Sequence, residues 1–229
     1  MNLQSFTREH IWTVEEIPVL QARVCLPEPE EGGTRAARRI RRYYQLQYRA
    51  WLKYCKAWLL PQAEAAYRAA LAASSPLPCF QAELTFRITW QDGRLLSLYT
   101  QSRESTLSGG PLVIRRGDTW DLAEGYPLPL SAFFPPRNPW RKELPAYAAE
   151  ELQRRCRAGL APCPADWRRR LRRHFNPMNY YLTAGGLTFF YPMNCIPSAG
   201  EGVPTFSIPW GYPGLQRPFP PENSEKPPS

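Results

Sequence analysis

Phe80, Ala82, Leu84, Phe86, Ile88 and Trp90 alternate with Gln81, Glu83, Thr85, Arg87, Thr89 and Gln91. A period of two sustained over this stretch predicts a strand with one solvated face. Asp92-Gly93 follows, a pair that suits a type I′ hairpin turn because both positions tolerate φ > 0. Leu95 to Thr106 then reads as the returning strand, Gly109-Gly110 as a second turn and Leu112 to Arg116 as a third strand. The pattern predicts an antiparallel meander.

Upstream the period changes. Ile17 to Leu26 reads as a first strand, closed by Pro27-Glu28-Pro29 and Gly32-Gly33, and Thr34 stands where a helix N-cap is expected. Ile40, Tyr43, Tyr44, Tyr48, Trp51, Leu52, Cys55, Trp58 and Leu59 recur at three- and four-residue steps, which makes one face of a long helix. Most of Arg35, Arg38, Arg39, Arg41, Arg42, Arg49, Lys53 and Lys56 fall on the other face. Pro61 should kink or restart the helix, with Gln62 to Ala73 continuing it. Met1 to Val14 carries no element in this reading.

Downstream, Pro129 to Phe134 reads as a short helical turn, Arg141 to Arg157 as a helix and Pro164 to Phe175 as a shorter, Arg-rich one. Asn179 to Thr183 and Leu187 to Tyr191 flank Ala184-Gly185-Gly186 as a second hairpin, and Thr205 to Trp210 is the last strand. These elements predict a single α+β domain over residues 1–212, an antiparallel meander packed against a long N-terminal helix with additional shorter helices. The Pro-rich remainder, 213–229, is expected to be a disordered tail.

Composition changes this picture in two places. The chain of 229 residues has a net charge of +9, which brings nucleic acid and anionic surfaces into view as partners. The aromatics of the long helix fall on its core-facing stripe, however, and this disfavours them as base-stacking groups. The second place is cysteine. Six are present, Cys25, Cys55, Cys79, Cys156, Cys163 and Cys195, and fifteen pairings would be open to them. Met1 to Val14 has no signal-peptide pattern and no stretch is apolar enough to span a membrane. A cytoplasmic location, with reduced thiols, is the expectation from the residues.

The search for chemistry yields no catalytic constellation. His10 and His174 sit in unrelated contexts, and the glycine pairs do not lead into helices as phosphate cradles do. The spacing between Cys156 and Cys163 does not match a zinc knuckle. Asp118, Asp121 and Glu124 could attract Ca²⁺, though acids so placed more often stabilise turns. No enzyme, cofactor or metal is predicted.

One resemblance adds to this. Thr119-Trp120-Asp121-Leu122, Gly125 and Leu128 to Phe134 resemble a pattern "N-F-D-L-x-T-G-x-x-L-x-L-x-D-L-F". Asn179 to Pro209 resembles "F-Y-L-T-x-D-G-L-x-F-Y-F-x-P-Y-E-I-A-P-Y-A-x-G-x-P-x-F-x-I-P". Both mark the domain of unknown function at the extracytoplasmic C-terminus of RsiV-type anti-sigma factors, also found in the peptidoglycan deacetylase PdaC. The likeness spans about residues 15–211 and implies a mixed α+β fold without catalytic residues. In RsiV the domain binds lysozyme. The resemblance implies a cell-envelope binding or sensor module whose ligand is a protein or a peptidoglycan fragment, with lysozyme as an alternative; nucleic-acid binding through the Arg-rich helices is the alternative that the residues themselves offer. The resemblance directs attention to the Tyr191 to Gly202 loop, where Tyr191, Met193, Ile196 and Ser198 are the candidate contact residues. The other reading of those side chains is that they close one end of the core.

Overall fold

The computed structural model describes residues 3–30, 33–106, 110–160, 165–196 and 202–219. The fold is mixed α+β. Strands β1 (Leu3–Val14), β2 (Ile17–Pro29), β3 (Phe80–Gln91), β4 (Leu95–Ser105), β5 (Leu112–Asp121) and β6 (Tyr126–Pro127) form a six-stranded sheet in that order. Helix α1 (Arg35–Tyr54), a π-turn (Cys55–Leu59) and α2 (Leu60–Ala72) connect β2 to β3. A 3-10 turn (Leu130–Phe133), α3 (Trp140–Arg157) and α4 (Trp167–His174) precede a three-stranded antiparallel sheet of β7 (Tyr180–Thr183), β8 (Gly186–Phe190) and β9 (Thr205–Pro209). The chain forms two compact units, Met1–Arg87 with Thr100–Arg115, and Ile88–Tyr99 with Arg116–Ser229.

In the first unit the expected meander gains a strand and changes one pairing. β1, where no element was expected, is a full strand paired antiparallel with β2, so His10 lies in a sheet; its ring bonds the Tyr48 hydroxyl at 2.7 Å. The hairpin turns at Glu15-Glu16, both with left-handed φ (49° and 66°). Neither residue is a turn former, and this hid the strand. β2 pairs parallel with β3 from Leu20↔Phe80 to Val24↔Leu84, because the helices between them carry the chain back to the same end. Asp92 also departs from expectation. Its side chain closes the β3–β4 turn by accepting from the backbone N–H groups of Arg94 (2.8 Å) and Leu95 (2.6 Å), and Gly93 is not at positive φ.

The long helix begins as predicted, with Thr34 accepting from Ala37 N–H at 3.2 Å. Ile40, Tyr44, Trp51, Cys55 and Leu59 are buried against the sheet, but Trp58 is 66% exposed. The π-turn explains the reversal. Pro61 has no N–H for the carbonyl of Ala57. The helix widens just before it, so that the Leu60 N–H reaches Cys55 and the Gln62 side chain reaches the Trp58 carbonyl at 2.8 Å. One inserted residue rotates the downstream helix by about 100°. That carries Trp58 out of the buried stripe and brings Leu59, Ala63 and Tyr67 into it.

Between α1 and β4 the interface is polar. Gln47 bonds Thr100, Trp51 bonds Ser102, and the Tyr54 hydroxyl donates to Glu104 at 2.9 Å. Glu104 is buried. Burial first, and Glu104 next, push the Cys55 thiol from 9.0 up to about 12; burial and the Glu104 bond move Tyr54 from 10.0 to about 12. Both folded values are raised, so the stability they confer is full below about pH 9 and drains as pH rises through about 12. Urea melts at pH 8, 9.5 and 11 should show unfolding free energy falling across this window. Cys55→Ala should flatten the early part of the fall; an unchanged slope would refute the assignment.

The second unit is built on aromatics. Phe189 and Phe206 stack at 5.7 Å, Tyr191 stands edge-on to Phe206 at 5.8 Å, and Trp140 stacks on Phe134 at 5.8 Å. β5 runs past the expected strand end at Arg116 to Asp121, and Trp120 on this extension is buried. Asp121 accepts from Ala123 N–H at 2.9 Å and pairs with Arg94, which is the turn-stabilising role. Pro213 to Phe219, expected as tail, is held in place. The Gln216 N–H bonds the Phe133 carbonyl at 2.9 Å and Phe219 lies under the Arg94 guanidinium. Cys25, Cys55, Cys79 and Cys195 are free thiols. Cys156, half-buried near the end of α3, departs from the expectation of reduced cysteines and is disulfide-bonded. No helix among the described residues is long and apolar enough to cross a membrane.

Candidate functional site

α4 has the sequence WRRRLRRH, and only Trp167 and Leu171, one turn apart, are buried. With two anchors at i and i+4, the other positions, five arginines and one histidine, face away from the core. Asp166 stands just before the helix. Its carboxylate does not cap the helix but takes Arg170 Nε at 2.9 Å and Arg169 at 3.2 Å. The Arg170 bond holds Asp166 below the ordinary carboxylate value of 3.8.

The segment after β8 faces this helix. Tyr191 N–H bonds the Pro204 carbonyl at 2.9 Å, Cys195 N–H bonds Pro192 at 3.2 Å, and Asn194 adopts φ 61° while its N–H reaches Gly202 at 3.2 Å. Met193 lies against Gly202, where even a β-carbon would come within 3.0 Å of the Met193 Cε. The chain thus makes a tight, fixed loop. Between it and α4 lies a cleft of about 440 Å³, lined by Asp166, Arg169, Arg170, Arg173 and His174 on one wall and by Pro192, Met193, Asn194 and Cys195 on the other.

Three guanidiniums against one carboxylate leave the cleft cationic. Arg173 has no carboxylate partner among the described residues. A guanidinium stays charged throughout the working pH range and presents planar donors suited to carboxylates and phosphates, so the three arginines themselves do not exchange protons. Burial raises the Cys195 thiol from 9.0 to about 11, with Arg170 opposing. It is protonated at neutral pH and is a poor nucleophile. No group of three or more metal-ligating side chains occurs among the described residues.

The four residues named from the sequence divide. Met193 lines the cleft. Tyr191 and Ile196 do not reach a surface: they are 0% and 2% exposed and belong to the core, where the Tyr191 ring meets Phe189 and Phe206. The reading in which these side chains close the core is the one the structure supports for these two. Ser198 lies outside the described residues. The arginines of α4 were visible in the sequence as a basic stretch, but nothing local to it indicates the Pro192–Cys195 wall it faces.

No protein-family model matches the sequence, and no curated protein matches it. Among solved structures the fold is similar to a member of the DUF3298 family from Bacteroides fragilis, with a TM-score of 0.65 and 13% identity over 91% of this chain and 90% of that one. It is also similar to a DUF3298 family protein from Pseudomonas aeruginosa PAO1, with a TM-score of 0.57 and 18% identity over 91% and 90%. The fold is therefore of the DUF3298 type.

Proposed function

We propose that the chain is a non-enzymatic binding module of the RsiV-like kind, and that it captures a carboxylate-bearing cell-wall fragment in the cleft between α4 and residues 192–195. One observation carries the reading: a cleft of about 440 Å³, a size suited to a small ligand, with Arg169, Arg170 and Arg173 on one wall. Peptidoglycan stem peptides offer clustered carboxylates of matching geometry for bidentate arginine contacts. Met193 and Pro192 supply an apolar wall for the aliphatic part of such a ligand. The disulfide at Cys156 supports an oxidising, extracytoplasmic compartment. A basic lysozyme is the poorer partner, since like charges give no steering.

Titration calorimetry with a soluble muramyl tripeptide should show binding that weakens with salt. Arg169→Gln with Arg173→Gln should reduce affinity about a hundredfold, as two charge-assisted contacts are lost. Neither arginine is part of the core, so the melting temperature should not change. Absence of heat at millimolar fragment, or equal affinity in the double variant, would overturn the proposal. So would tight, salt-sensitive binding of an oligonucleotide in its place.

A further inference from the structure

The outer face of α1 and the π-turn carries a second cationic feature, on a part of the chain that does not contribute to the cleft. From Thr34 to Ala63 the sequence contains no Asp or Glu. Arg35, Arg38, Arg42, Arg49, Lys53 and Lys56 are all exposed. At about 100° per residue these six fall within an arc of about 60°, and at 1.5 Å per residue they span about 32 Å of axis. None of the six forms an ion pair among the described residues.

The row has an apolar flank. Leu46 is 53% and Trp58 66% exposed, and the helical angles put both on the same side of the cations. Trp58 is there because of the π-turn: on an unbroken α-helix it would have faced the core. At the same end a shallow, open depression of about 390 Å³ is lined by Arg49, Leu52, Lys53, Lys56 and Ala57. Three of its lining residues are cations and two are apolar.

We infer that this face docks on an anionic phospholipid surface. All six cations lie along one convex ridge, so a plane of headgroups can meet them together, whereas single-stranded nucleic acid is held in concave grooves with several stacking aromatics. Trp is the residue that settles at the headgroup level, where its ring is half in apolar surroundings and its N–H remains wet. A shallow depression where three cations and two apolar side chains stand together suits a headgroup phosphate beside the upper part of its acyl chain. A second copy of this chain, carrying the same +9 charge, is repelled from such a face. Docking of this kind is peripheral and electrostatic, and it requires no spanning helix.

The test is co-sedimentation of the full chain with vesicles of phosphatidylcholine containing 30% (about one lipid in three) phosphatidylglycerol, against pure phosphatidylcholine. Binding is expected only to the anionic vesicles and should fall with salt. Arg49→Gln, Lys53→Gln and Lys56→Gln together should lower the partition coefficient about a hundredfold, and Trp58→Ser should remove the blue shift of tryptophan emission on binding. Equal partition into neutral vesicles, no partition at low salt, or an unaltered triple variant would each overturn the inference. Preference for an oligonucleotide with no vesicle binding would replace the lipid with nucleic acid.

Discussion

Replacing Gly117 by alanine is expected to destabilise the protein by about 4 kcal/mol or more, at the severe end of single substitutions. A β-carbon on Gly117 would stand 1.8 Å from the Tyr180 carbonyl oxygen, 2.7 Å from the carbonyl carbon and 3.2 Å from the nitrogen. Every one of these atoms is backbone, so no rotamer change relieves the overlap. Nor can the strands part at low cost. Tyr180 is fixed by its hydroxyl bond to the Leu128 carbonyl at 2.6 Å and by its edge-to-face contact with Phe133 at 5.7 Å. On the other side the Ser97 hydroxyl ties β5 to β7, bonding Thr119 Oγ1 at 2.8 Å and accepting from Leu182 N–H at 2.8 Å. Moving β5 away would break this buried link and disturb Trp120. At about 2–4 °C per kcal/mol for a domain of this size, the melting temperature should drop by roughly 10 °C. Gly110→Ala is the control, since a β-carbon there meets nothing within 4 Å. A Gly117→Ala protein melting within about 2 °C of the parent would show that the two backbones have room the geometry denies.

Such contacts mark where the sequence stops being informative. The strand at Phe80 to Trp90 and the start of α1 were legible because each follows from a period, and a period needs only near neighbours. β1 was not legible. Leu3, Phe6, His10, Trp12 and Val14 are only half-buried, so the alternation is weak, and its turn is made by Glu15-Glu16 without glycine or asparagine. Trp58 failed for a different reason: an ideal helical repeat places it with Trp51, and the π-turn beside Pro61 shifts the register by one residue. Glu104 was hidden in plain alternation. Leu96, Leu98, Thr100, Ser102 and Glu104 share one face, but a polar end to an apolar row reads as solvent exposure until Gln47, Trp51 and Tyr54 are found opposite it. The cleft was half legible. Its arginines form a run in the sequence, while the loop they face comes after two intervening strands and is placed by tertiary packing alone. The Tyr191 to Gly202 segment drew attention through the family resemblance, and its contribution to the cleft comes from Pro192, Met193, Asn194 and Cys195, while Tyr191 and Ile196 are buried.

The cleft's dependence on so few anchors leads to the second large effect. α4 has eight residues, five of them arginine, and a helix this short has little stability of its own in water, the less so with like charges one turn apart. Trp167 and Leu171 are its buried residues, assisted by the Arg168 bond to Gln153 at 2.8 Å. Leu171 is 0% exposed, and its truncation to alanine should cost about 2–5 kcal/mol. That energy should appear first as local opening of α4, since the aromatic core of Phe189, Tyr191 and Phe206 retains its own contacts. A cost of about 3 kcal/mol corresponds to roughly a hundredfold increase in the open population. Trypsin reports it directly because the helix is lined with its cleavage sites, and cleavage between Arg168 and Arg173 under native conditions should accelerate by about that factor. Fragment binding should weaken in step, because Arg169, Arg170 and Arg173 face the Pro192–Cys195 wall only while the helix is docked. If Leu171→Ala instead raised proteolysis evenly along the chain, α4 would be part of the global folding unit. Loss of binding without local cleavage would mean that Leu171 acts on the cleft by another route than holding the helix down.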